Sequence, residues 1–164
     1  MWYSPNRLLS HNALLNICLS PRGNGKTYSA KDKIIKNWLK KRKQSVYIRR
    51  YKTELEDMKD TFFDDIKEKY PKHDFKVLGY EGYIDDEVVV FFVPLTTSSN
   101  LKSKAFPNVD LIVFDEYIIT KSTHSRYLKN EVVLLFDLME TIFRIRDNGV
   151  VLVLGNAVSF VNPL

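Results

Sequence analysis

Gly25-Lys26-Thr27, closing the run Ser20-Pro21-Arg22-Gly23-Asn24, is a residue set suited to holding phosphate. Loop N–H groups wrap phosphate oxygens, a lysine ammonium reaches the β- and γ-oxygens, and a threonine hydroxyl ligates Mg²⁺. Arg22, Gly23, Asn24, Gly25, Lys26 and Thr27 are therefore the candidate nucleotide-binding residues, with ATP and Mg²⁺ as the expected ligands. One position departs from G-x-x-x-x-G-K-[ST]: Ser20 stands where glycine is expected, and Gly23 lies inside the loop beside Arg22.

A second motif lies about 90 residues downstream. Leu111-Ile112-Val113-Phe114 reads as a buried strand that delivers Asp115 and Glu116 at its C-terminal edge, where ligands bind in open α/β sheets. Asp115 is a candidate Mg²⁺ ligand with Thr27. Glu116 is a candidate base for an attacking water, which argues for hydrolysis over transfer to a bound acceptor. Asn156, just past the strand Val150–Leu154, is a candidate γ-phosphate sensor or water-orienting residue, with a plain turn residue as the alternative.

Two basic groups stand apart. Phe143-Arg144-Ile145-Arg146 ends an apolar helix, where the arginines either offset the helix dipole or reach a neighbouring subunit's ATP as a finger. Arg49-Arg50-Tyr51-Lys52 follows a strand, and its cations are candidate contacts to nucleotide or nucleic acid phosphate, with a solvated loop as the plainer reading.

The elements that must position these groups follow from periodicity. Residues 14–19 are mostly apolar, as in a parallel strand buried on both faces. A helix from Thr27 to about Lys41 carries the stripe Ile34, Ile35, Trp38 and Leu39. After a strand at Ser45–Arg49, Thr53 is expected to cap a helix running to about Tyr70, ahead of Pro71. Phe75–Leu78, Gly82–Ile84 and Val88–Val93 read as strands, with Asp85-Asp86 as a hairpin turn, an insertion near 75–93. Val109–Phe114 is a strand, Asn130 to about Arg146 a helix, and Val150–Leu154 a last strand. Strands alternating with helices predict an α/β fold with a central, mostly parallel sheet flanked by helices.

The chain of 164 residues is one domain by length, with 45% hydrophobic and 27% charged residues. Its one cysteine, Cys18, sits in the first strand as a small buried hydrophobe, so neither a disulfide framework nor a thiolate metal site is expected. No apolar run approaches the ~20 residues that span a bilayer. The net charge of +5 is uneven: 31–52 holds ten Lys/Arg and one acid, hence +9, and the remainder nets −4. Such a block suggests a polyanion nearby or a solvated helix face. The ending Asn162-Pro163-Leu164, soon after the last strand, suggests the N-terminal part of a longer protein.

Together the blocks resemble a family. Arg22-Gly23-x-Gly25-Lys26-Thr27, Tyr47-Ile48-Arg49-Arg50-Tyr51-Lys52, Phe106-Pro107-Asn108-Val109, Ile112 through Ile118, Asn130 through Arg146, and Asn156 through Pro163 occur in the order found in DNA-packaging (encapsidation) ATPases of small tailed phages with protein-primed replication. The loop without its first glycine and with an internal arginine is similar to that of terminase-like, additional-strand catalytic-glutamate P-loop ATPases. The resemblance covers about Tyr3 to Pro163. It implies a RecA-like P-loop ATPase domain whose full-length relatives add a C-terminal nuclease-like domain. It implies a homomeric, pentameric ring that drives double-stranded DNA into a prohead from the host cytoplasm, seated at the portal (connector) vertex with a structural RNA. By motif position, Lys26 and Thr27 bind phosphate and Mg²⁺, Asp115 and Glu116 are the acidic pair, Arg144 matches a trans-acting arginine, and Lys102 matches a second basic residue acting in trans. A non-motor, nucleic-acid-binding P-loop switch and a helicase-like ATPase remain the alternatives from residues alone.

Overall fold

The computed structural model describes residues 4–119 and 126–157. Seven strands form one sheet: β1 (Leu15–Ser20), β2 (Gln44–Arg49), β3 (Phe75–Leu78), β4 (Glu81–Ile84), β5 (Glu87–Pro94), β6 (Val109–Asp115) and β7 (Val150–Asn156), in the order β1-β7-β6-β2-β5-β4-β3. Neighbours from β1 through to β5 pair parallel, and β5-β4-β3 pair antiparallel. The helices are α1 (Asn6–Leu9), α2 (Lys26–Lys41), α3 (Lys52–Glu56) and α4 (Glu131–Phe143), with 3-10 turns at Lys67–Lys69 and Leu95–Leu101.

α2 and α4 lie against opposite faces of the sheet, and each face has its own core. One gathers Ala30, Ile34, Ile35 and Trp38 of α2 with Tyr47, Leu111, Val113 and Leu152; the other gathers Leu135, Leu138, Met139 and Ile142 of α4 with Val46, Ile48, Ile112 and Phe114. Side chains alternate along a strand. Tyr47 and Arg49, with Val113 and Asp115, therefore face the α2 side. Ile48, Phe114 and Arg50 face the α4 side.

Several expectations need correction. β1 is not buried on both faces: it is the outer edge of the sheet, and Ile17 and Leu19 are 39% and 51% exposed. The hairpin expected near 75–93 is present and is part of the sheet itself: β5 pairs directly with β2 and carries β4 and β3 as an antiparallel extension. The Asp85-Asp86 turn does join β4 to β5, both residues at positive φ as a tight two-residue hairpin turn demands.

The long helix after Thr53 does not form. α3 is five residues long and ends at Glu56, and its N-terminus is held by Tyr51, whose N–H donates to Glu54 at 3.1 Å. Beyond it the chain winds through i→i+3 bonds, such as Phe62 N–H to Lys59 O and Ile66 N–H to Phe63 O. This tighter path sinks Leu55, Phe62, Phe63 and Ile66 together into the core. Burial of the aromatics overrides local helix propensity. α4 stops at Phe143 because Arg144 takes φ +52 and ψ −123, outside every helical region of the backbone.

Candidate functional site

The phosphate loop and the acid-tipped strand meet at one sheet edge. β1 ends at Ser20, the loop turns on Gly23 (φ +81) and Gly25 (φ +73), and α2 begins at Lys26. Positive φ is available to glycine at no steric cost, so these two glycines permit the turn into the helix. Lys26 is buried and folds back into its own loop, donating to Ser20 O, Ser20 Oγ and Pro21 O at 2.9 Å each. Ser20 supplies two of the three acceptors, and its hydroxyl is the one a glycine would lack.

Thr27 Oγ1 donates to Asp115 Oδ2 at 2.9 Å, which joins the two motifs directly. Asp115 is buried and fully engaged. Its Oδ2 also accepts from Tyr47 Oη at 2.5 Å and lies 3.3 Å from Arg49 Nη2, while Oδ1 accepts the Glu116 N–H at 2.9 Å. Arg49 Nη1 reaches the Glu116 carboxylate at 2.6 Å. Burial, followed by the Asp115 charge, pushes the Tyr47 hydroxyl well above its usual range. Burial works against the Arg49 charge, but Tyr47, Asp115 and Glu116 outweigh it and hold the guanidinium charged.

Thr27 and Asp115 present two hard oxygen donors within hydrogen-bond distance, a donor set that fits Mg²⁺. No group of three or more His, Cys, Asp or Glu able to hold a metal occurs among the described residues. A cation here would complete its shell with water and phosphate oxygens. Asn156 is the last residue of β7, not past it; it pairs in register with Ser20, and Ala157 N–H donates to Ser20 O at 3.1 Å, so Asn156 stands beside the loop. Arg22 and Asn24 are exposed on the loop. The part of the last motif block at 158–163 lies outside the described residues.

The basic residues separate into distinct roles. Arg49 and Arg50 do not form a solvated loop. Arg49 is clamped to the acidic pair, and Arg50 is 2% exposed and paired with Glu131 at 2.7 Å on the α4 side. Arg146 is no free finger either: it donates to the carbonyls of Phe106 and Pro107 at 2.8 Å and to Phe143 at 3.2 Å, closing the end of α4. Lys52 stays exposed, its Nζ 5.9 Å from the Tyr80 ring. Five of the ten cations in 31–52 have carboxylate partners: Lys31 with Asp65, Lys36 with Asp32 and Arg42 with Glu87, besides the two arginines.

Arg144 and Lys102 come together. They line a hollow of about 450 Å³ with Asp137, Glu140, Thr141 and Ile145, and both are exposed. α4 runs from Glu131, beside Arg50 and Glu116, to Phe143, about 20 Å away at 1.5 Å per residue. Arg146 bonds the chain just before β6 begins, so this end of α4 lies at the opposite edge of the sheet from the phosphate loop. Arg144 is remote from its own loop.

Sequence reasoning missed Tyr47 and Glu131. The signal for Tyr47 was strand parity: in the neighbouring strand its register partner is Val113, two residues before Asp115 on the same face. Glu131 had no local signal, because its partner Arg50, just past the end of β2, is 81 residues away.

Fold and site define an α/β protein in which a phosphate-loop sequence and an acid-tipped strand converge at the C-terminal edge of a seven-stranded sheet. The chain belongs to the Podovirus DNA encapsidation protein (Gp16) family, whose model matches residues 1–164. It is 40% identical over 163 residues to a DNA packaging protein of Bacillus phage phi29, covering 99% of this chain and 48% of that protein. The chain thus spans about half the length of the relatives it matches. The solved N-terminal domain of the phi29 DNA packaging ATPase superposes with a TM-score of 0.89 at 39% identity, over 99% of this chain and 82% of that one. A solved phi29 genome packaging motor assembly gives a TM-score of 0.87 at 40% identity, over 99% and 49% of the two chains. A large terminase ATPase domain from a Thermus phage, 16% identical with a TM-score of 0.56 over 91% and 63%, shares the fold alone.

Proposed function

We propose that this chain is the ATP-hydrolysing domain of a genome-packaging motor that drives double-stranded DNA into a viral prohead. The observation that carries the reading is the junction of the two motifs, Thr27 Oγ1 on Asp115 at 2.9 Å with Glu116 adjoining. The architecture is of the RecA-like P-loop kind with a catalytic glutamate. On ATP binding, Lys26 exchanges its three loop acceptors for β- and γ-phosphate oxygens. Thr27 and Asp115 would hold Mg²⁺, which would offset phosphate charge. Arg49 gives up the Glu116 carboxylate, which then takes the proton of the attacking water. Asn156 stands where it can bond that water or the γ-phosphate.

Arg144 completes a neighbour's site, because it faces away from its own loop. An arginine offered in this way requires subunits arranged head to tail, and a head-to-tail contact that closes makes a ring. The ring reading includes five subunits, a portal seat with its structural RNA, and work in the host cytoplasm. The names of the relatives, DNA packaging protein and DNA packaging ATPase, support this reading.

The test is ATP turnover measured against protein concentration. Specific activity is expected to rise with concentration, and Glu116→Gln should bind ATP while turning over about 100-fold more slowly or less. A Glu116→Gln variant with the parent rate would overturn the assignment of the base. Arg144→Ala subunits mixed with parent should depress activity more than their fraction; proportional loss would count against action between subunits.

A further inference from the structure

Arg50 is among the largest fully buried side chains of the described protein, and it carries a charge. Its Nε and Nη2 hold Glu131 Oε2 and Oε1 at 2.7 Å each. Its remaining bonds go to the main chain beside the acidic pair: Nη1 donates to Glu116 O at 3.3 Å and Nη2 to Tyr117 O at 2.5 Å. The guanidinium carbon stands 5.7 Å from the Phe114 ring and 5.0 Å from the Tyr127 ring.

A buried ion pair adds little net stability over well-packed apolar residues of similar volume. What apolar residues cannot do is bond two carbonyls of the chain at Glu116. That segment needs holding. Glu116 sits at φ +55, a region unfavourable for a residue with a Cβ. Tyr117 is fixed on its other side, its N–H on Leu154 O at 3.1 Å and its ring so close to Gly155 that a Cβ there would lie 2.6 Å away. Glu131, which receives Arg50, opens α4 and also accepts the Leu128 N–H at 3.0 Å.

We propose that Arg50 is a positioning residue for the Glu116 carboxylate: it fixes the backbone that carries the base and, through Glu131, ties that backbone to α4. The base of one subunit and the Arg144 it offers a second copy are then the two ends of one braced body. This inference rests on the reading of Glu116 as the base.

The decisive variant is Arg50→Met combined with Glu131→Met, which removes both charges and keeps the volume filled. Three quantities are measured: affinity for a fluorescent ATP analogue, turnover, and hydrogen exchange by segment. Affinity is expected within twofold of the parent, turnover at least tenfold lower, and exchange at 115–119 and in the first turn of α4 at least tenfold faster, with α2 unchanged. Unchanged exchange at 115–119 overturns the positioning role. Affinity falling in step with turnover also overturns it, since that is the mark of general loosening. Faster exchange with turnover intact instead removes Glu116 as the base, which separates the two readings. Should the double variant not fold, Glu131→Gln, which keeps shape and one acceptor, is held to the same outcomes, with exchange at least threefold faster.

Discussion

Arg49 turns its guanidinium to the sheet face that carries the phosphate loop, and Arg50, one residue on, turns its own to the face covered by α4. Arg49 bridges two carboxylates, one of which, Glu116, is 57% exposed, and its buried Nε has no hydrogen-bond partner among the described residues. Arg50 is 2% exposed, its carboxylate is equally buried, and its Nε, Nη1 and Nη2 all donate. A cation with an unsatisfied donor and a partner half in water is cheap to move. A cation sealed with all its groups bonded is not. The same residue type thus serves as a releasable clamp on one face and a permanent brace on the other, and strand parity alone decides which.

The contrast can be broken by experiment, beginning with the largest effect. Arg50→Met alone leaves the Glu131 charge buried without its partner, at a cost of about 3–5 kcal/mol. Thermal unfolding should show a drop of roughly 6–20 °C for a domain of this size. Arg49→Met should cost only about 1–2 kcal/mol, because Asp115 keeps Thr27, Tyr47 and its bond from the Glu116 N–H. Equal losses for the two variants would dissolve the distinction.

Tyr47→Phe tests whether the clamp side tolerates losing a donor. The expected loss is about 1 kcal/mol, read from denaturant midpoints; a loss as large as that of Arg50→Met would place Tyr47 with the brace. Ser20→Gly removes one acceptor that Lys26 must leave when phosphate arrives. ATP is expected to bind about two- to fivefold more tightly, on the order of 0.5–1 kcal/mol, and calorimetric titration reads it. Weaker binding would make Ser20 a direct contributor to nucleotide binding.

The smallest effect belongs to Asp32, outside the site, which accepts from Lys36, Lys69 and Tyr70. Burial raises its pKa, but these hydrogen bonds outweigh burial and set it below the usual value. A depressed carboxylate contributes stability above its unfolded pKa and loses it as the pH falls through the folded one. Asp32→Asn should therefore cost under about 1 kcal/mol at neutral pH and flatten the stability profile below about pH 4. An unchanged acid limb would remove Asp32 as its source.

Much of the site was legible in the residues. Lys26-Thr27 and Asp115-Glu116 carry their chemistry in residue type, and the apolar strands before them fix the sheet edge at which they emerge. Arg49 and Arg50 were legible as a pair but not as opposites, since parity becomes informative only once β2 is known to lie beside β6. The helix expected after Thr53 failed because its apolar residues serve burial rather than helical period. β1 misled through composition: its apolar residues matched a central strand, yet among the described residues its one neighbour is β7.

That edge has a consequence for handling the chain in solution. Among the described residues β1 pairs on one side only, and Leu14 just before it and Ile17 and Leu19 within it stand exposed, immediately before the loop at 20–25. An open apolar edge is a template on which strands from other molecules can add. A polar substitution at Leu14, just ahead of the strand that leads into Ser20–Lys26, is expected to raise the solubility of this chain, read as the concentration at which it precipitates.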